Sequence, residues 1–162
     1  MNTQGNLAMA HDASAVAEPL DMIKHVSFEL GDETYAINAA RVNEVLRYTE
    51  ITPVPGSAYF ILGIINLRGN VVTVIDARTV FGLPTLDHTH NSRIIVVEIE
   101  DFVLGILVDR VAEVIDLNKH AIEIAPATSQ DASSRFIQGV YNENNHLMIL
   151  VDFSRVTELL PH

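Results

Sequence analysis

Apolar and polar positions alternate from residue 26 onward: Val26, Phe28 and Leu30 are separated by Ser27 and Glu29, Gly31-Asp32-Glu33 interrupts, and the run resumes over residues 34–37. A period of two broken by turn-forming residues predicts a β-hairpin. From Asn38 the spacing changes. Val42, Val45 and Leu46 stand at i, i+3 and i+4 behind a residue suited to an N-cap, which predicts a short amphipathic helix carrying Glu44 on its polar side. After the break Pro53-Val54-Pro55-Gly56, residues 60–66 and 71–75 form a second hairpin around Leu67-Arg68-Gly69-Asn70. Gly69 and Asn70 are expected to supply its positive φ angles. Residues 93–99 and 102–108 predict a third hairpin around Glu100-Asp101, and residues 138–141 and 147–151 a fourth around Asn142 to His146. Strands at such short spacing belong to sandwiches or small barrels.

The two halves of the chain are related to each other. Arg41-Val42-Asn43-Glu44-Val45 matches Arg110-Val111-Ala112-Glu113-Val114 at an offset of 69 residues, whereas Phe60-Ile61-Leu62-Gly63 matches Phe136-Ile137-Gln138-Gly139 at 76. Val74-Ile75-Asp76 repeats as Leu150-Val151-Asp152 at the same 76. One insertion of seven residues relates the halves, and the polar stretch 127–135 can absorb it. An internal duplication of this kind predicts an all-β architecture of two similar small units, closed or nearly closed, rather than one large sheet. Lobe 1 is expected over about residues 34–85 and lobe 2 over about 93–150, with terminal strands free to exchange between them. Residues 1–24, small and polar without a sustained period, read as a mobile tail.

Composition narrows the function. At 162 residues with 48% hydrophobic and 19% charged positions, the chain is long enough to bury roughly 70% of its unfolded surface. Arg68, Asp76, Glu98, Asp101 and Asp109 interrupt every apolar run before it reaches a membrane-spanning length. The start has no basic stretch leading into an apolar one, so a cytoplasmic location is expected. With no cysteine, the chain can build neither disulfides nor thiolate metal sites nor thiol nucleophiles. Ten Lys and Arg against 21 Asp and Glu give a net charge of −11, which disfavours nucleic acid and anionic lipid as partners.

Little in the sequence points to catalysis. Only His88-Thr89-His90, beside Asp87, is spaced to place two imidazoles on one side of an extended segment. Its position after Gly82-Leu83-Pro84 favours solvated linker histidines over a metal site or a small metal-dependent hydrolase. Asp76 and Asp152 each follow an apolar strand, and capping of the short helical turns at residues 77–81 and 153–160 accounts for them better than acid-base chemistry. No G-x-S-x-G, P-loop or G-x-G-x-x-G occurs, so no enzyme activity and no cofactor are expected.

Three segments carry a family resemblance: residues 28–37 (FELGDETYAI), residues 41–45 (RVNEV), and above all residues 63–78 (GIINLRGNVVTVIDAR). With residues 105–114 (GILVDRVAEV) in the second half, they resemble CheW-like domains in the right order over about residues 25–160. The resemblance implies two intertwined five-stranded barrels of the Src-homology-3-like kind. It also implies a chemotaxis adaptor that binds the regulatory domain of the histidine kinase CheA and the cytoplasmic tips of methyl-accepting chemoreceptors. Arg68 and Glu44 are the positions it implicates in partner contacts, and Val42, Val45, Leu46 and Val108 are those expected along an apolar receptor groove or in the core. Thr73 stands where the family often has proline and Ala77 where it often has leucine, which leaves open a flagellar or a pilus-linked system. An excised regulatory domain of the kinase would share the fold, but the chain has no phosphotransfer or ATP-binding segments.

Overall fold

The computed structural model describes residues 21–124 and 135–158. Eleven strands follow in order: β1 Met22–Leu30, β2 Glu33–Asn38, β3 Val42–Arg47, β4 Ile61–Leu67, β5 Asn70–Asp76, β6 Arg93–Ile99, β7 Phe102–Val108, β8 Arg110–Asn118, β9 Glu123–Ile124, β10 Ile137–Glu143 and β11 His146–Val151. Between β5 and β6 lies one short α-helix, α1, Ala77–Val80. The four hairpins read from the pattern are all present, as β1–β2, β4–β5, β6–β7 and β10–β11. Residues 1–20 of the expected tail lie outside the described residues, while Met22 to Lys24 already belong to β1. Most of the polar stretch 127–135 also lies outside them.

The helix expected across Val42, Val45 and Leu46 is instead a strand. Only Ala39–Arg41 turns helically, capped by Asn38, whose side-chain oxygen accepts from the Ala40 N–H at 2.9 Å. β3 then pairs antiparallel with β6 and carries a bulge between Val42 and Glu44. An extra residue there shifts the inside-outside alternation by one and so counterfeits a helical spacing.

The strands form two sheets, ordered β3-β6-β7-β5-β4 and β8-β1-β2-β11-β10-β9. Their division does not follow the two expected lobes, because hairpin β6–β7 joins the first half and hairpin β1–β2 joins the second. Parallel pairings make both exchanges, β5 with β7 and β2 with β11. Each sheet curls until its ends meet. Thr52, beyond β3, exchanges two 2.9 Å backbone hydrogen bonds with Ile64 on β4, and β9, beyond β8, pairs with β10. Closure leaves no room for a side chain at two duplicated positions: a Cβ on Gly63 would lie 2.1 Å from the Thr52 carbonyl oxygen, and one on Gly139 would lie 2.5 Å from that of Glu123. The duplication therefore extends to the bulges, at Ile61/Gly63 and Ile137/Gly139 alike.

Three apolar clusters follow from the alternation. Ile65, Val72, Val74, Ile94 and Val96 fill the first barrel, and Ala36, Leu117, Met148 and Leu150 the second. The residues between them face outward into a larger shared core that includes Phe28, Tyr35, Ile75, Ile95, Val97, Leu104, Ile106, Phe136 and Phe153. A half-buried ion pair locks the seam. Arg78, just inside α1, donates from Nε and Nη2 to Asp109 at 2.8 and 2.6 Å, and the same carboxylate accepts the Gly31 N–H at 2.8 Å. The Arg78 hydrogen bonds hold the Asp109 carboxyl below its ordinary value of 3.8, more than burial raises it.

Candidate partner-binding surface

Arg68 sits at the tip of the β4–β5 hairpin, where Leu67 pairs with Asn70. The positive φ angles of this turn belong to Arg68 (52°) and Gly69 (87°), not to Gly69 and Asn70 as the turn residues suggest. Both signs match a type I′ turn, the two-residue connection whose twist suits a hairpin. Asn66 supports it by accepting the Gly69 N–H on its side-chain oxygen at 3.0 Å.

Glu44 reaches the same place from β3. Without the bulge it would share a face with Val42, which packs on the central core beside Val97. The extra residue turns Glu44 to the Val96 side, at the open end of the first barrel. There Arg68 grips it with both terminal guanidinium nitrogens, Nη1 to Oε1 at 3.3 Å and Nη2 to Oε2. These hydrogen bonds hold the Glu44 carboxyl below the usual carboxylate range and raise the Arg68 guanidinium. The Arg68 side chain remains 68% exposed, so most of its surface is open to a partner. A cavity of about 510 Å³ adjoins the pair, walled by Asn70, Val71, Thr73, Asp101, Phe102 and Val103 among others.

The four apolar candidates separate. Val45 is 39% exposed but points to the opposite face of β3 from Glu44, as neighbours on a strand do. Leu46 is half-buried against the first barrel's interior, and Val42 packs against the shared core. Val108 is 2% exposed and offers a partner no surface, because its side chain packs into that shared core. Inspection of the sequence missed Val71, 66% exposed beside the Glu44–Arg68 pair. Its alternation with Val72 and Val74 marks it as outward, but only the fold brings it next to Glu44.

Asp76 and Asp152 act as caps: Asp76 accepts the Arg78 N–H at 3.1 Å and the Thr79 hydroxyl at 3.0 Å, and Asp152 the Ser154 N–H at 2.9 Å. They belong to different barrels and do not form a pair. His88 and His90 lie with Arg47, Tyr48 and Arg93 around a shallow pocket, away from the Glu44–Arg68 pair.

Comparison with known proteins agrees with this fold. A family model described as the CheW-like domain matches residues 24–160. The chemotaxis protein CheW of Bacillus subtilis is 33% identical over 83% of this chain and 86% of its own length. A probable chemotaxis protein CheW of Rhizobium etli is 31% identical over 78% of this chain and 82% of its own. Among solved structures, the scaffolding protein TtCheW from Thermoanaerobacter tengcongensis superposes with a TM-score of 0.76 at 34% identity, covering 83% of this chain and 86% of that one. With the duplicated barrels, the N-L-R-G turn and a family match across nearly the whole length, the chain belongs to the CheW-like domain family.

Proposed function

We propose that this chain is a non-enzymatic chemotaxis adaptor that couples receptor tips to the regulatory domain of a CheA-type kinase through the Glu44–Arg68 end of the first barrel. Family membership and the names of its relatives, chemotaxis proteins and a scaffolding protein, support the general role. One observation carries the choice of surface. The duplicate turn in the second half uses Asn144-Asn145, both at positive φ, and asparagine is a residue that tolerates this conformation. The first half places Arg68 there instead, at the end of the first barrel to which a bulge has also turned Glu44. A strained charged residue at a hairpin tip is better explained by recognition than by folding.

Such an adaptor makes and breaks no bond. It holds two partners so that a small shift in one biases the active fraction of the other, which requires differential affinity for the two states. Residues 25–160 would act as the working unit, in the cytoplasm and at the inner membrane only through receptors. No helix in the described residues is long and apolar enough to cross a membrane.

Calorimetric titration with the kinase regulatory domain tests the reading. Saturable one-to-one binding is expected, weakened roughly tenfold to a hundredfold by Arg68→Glu with the fold retained. Partial recovery in the Glu44→Arg, Arg68→Glu double variant would identify their pairing as part of the interface. Absence of binding by the unaltered chain, or unfolding of Arg68→Glu, would overturn the assignment.

A further inference from the structure

Arg47 and Arg93 stand directly opposite each other across the β3–β6 ladder. The chain has only ten Lys and Arg among 21 carboxylates, yet two of them occupy one cross-strand pair, where like charges repel. Neither forms an ion pair among the described residues. Arg93 is nonetheless held in place, donating from Nη1 to the carbonyl oxygens of His90 at 2.9 Å and Ser92 at 2.8 Å. The loop that supplies those carbonyls is itself tied, since the Thr89 N–H donates to Ser92 Oγ at 2.8 Å and the Ser92 N–H to the Thr89 carbonyl at 3.0 Å.

In the same pocket the Tyr48 ring stacks on His88 with centroids 3.6 Å apart and planes 5° apart, and His90 also lines it. This shallow, open pocket measures about 420 Å³. No carboxylate lines it, although Glu50 and Asp87 are close in sequence. Two histidines raise the question of a metal. However, they have no third ligand of the His, Cys, Asp or Glu type among the described residues, and the neighbouring guanidinium groups would repel a cation.

We propose that the pocket formed by Arg47, Tyr48, His88, His90 and Arg93 binds a phosphoryl group, free or on a small phosphomonoester. Two guanidinium groups from adjacent strands and two imidazoles line one pocket, so several N–H donors are available to a single ligand. A carboxylate, with two oxygens in one plane, is satisfied by a single arginine fork, whereas a phosphoryl group brings three oxygens and nearly two charges. A bound anion would also offset the Arg47–Arg93 repulsion that the free protein carries. The pocket lies at the far end of β3 from Val42, about 10 Å along the strand from Glu44, and is separate from the proposed adaptor contact.

The test follows the His88 and His90 ring resonances of the full chain by NMR, titrating inorganic phosphate or phenyl phosphate against potassium chloride at matched ionic strength. Saturable shifts with either phosphate and none with chloride are expected. Equal affinity for the two probes would assign recognition to the phosphoryl group alone, and tighter phenyl phosphate binding to a monoester resting on the Tyr48–His88 stack. Arg47→Gln, which leaves the Arg93 loop bonds intact, should weaken binding at least fivefold with an unchanged circular dichroism spectrum. Shifts that chloride reproduces, that never saturate, or that persist undiminished in Arg47→Gln overturn the proposal.

Discussion

Arg68 and Asn144 occupy the same position in duplicated turns, with φ angles of 52° and 53°, but only the asparagine suits that backbone. The left-handed region costs an ordinary L-residue about 1 kcal/mol, and glycine escapes that cost. Arg68→Gly should therefore leave the urea midpoint unchanged or slightly higher while losing kinase binding, a separation that stability and calorimetric measurements on one variant would reveal. A fall in stability instead would make the Arg68–Glu44 pair structural. Asp109 presents the reverse case. Its folded carboxyl titrates below 3.8, so its contribution is fully present above about pH 4 and is lost as pH falls through the lower folded value. Asp109→Asn leaves the Arg78 guanidinium, 11% exposed, without its charge partner and should cost about 2–3 kcal/mol at pH 7. It should also flatten the acid limb of stability below pH 4, and an unaltered limb in acid titrations would show that the pair does not report on folding. The exposure of Arg68 could be read from its hairpin. The Arg78–Asp109 pair could not, because 31 residues separate the partners.

The elements themselves were legible where the period was clean, as all four hairpins were, and misleading where a bulge disturbed it. Val42, Val45 and Leu46 imitate a helix face because the extra residue in β3 shifts the parity between Val42 and Glu44. The valines, stiff at χ1 and suited to strands, were the available counter-signal. A second kind of position was marked by the repeat but not explained by it. Gly63 and Gly139 recur at one offset, yet the reason is the backbone that crosses each of them at closure. Gly63→Ala and Gly139→Ala should each destabilise by about 2–3 kcal/mol, since a carbonyl cannot move aside as a side-chain tip can. Urea unfolding would measure it, and a loss below 0.5 kcal/mol at both would mean that the barrels do not close through these contacts.

At the scale of the whole molecule, the exchange of hairpins makes the two barrels one object. Phe28 and Tyr35 stack at 5.5 Å, Tyr35 meets Phe81 at 5.0 Å, and Phe81 meets Phe153 at 6.1 Å, a run of aromatic contacts that crosses the shared core. Neither barrel can unfold without stripping strands or core from the other. Urea transitions followed by far-ultraviolet circular dichroism and by tyrosine fluorescence should therefore coincide in a single two-state curve. Two separated transitions would mean that the lobes are independent.

The sequence by itself determined much of the local order: the four hairpins, where they turn, that the chain is a duplication, and that it offers no cysteine. Those features depend on periods of two, on turn residues and on composition, all of which are written within a few neighbouring positions. Only the tertiary structure decided which hairpin joins which sheet, that Glu44 meets Arg68 while Val45 turns away and Val108 is buried, and that Arg47, His88 and Arg93 gather around one pocket. Strand partners are chosen by the free energy of burying faces together, and that quantity belongs to the assembled core and to no single segment.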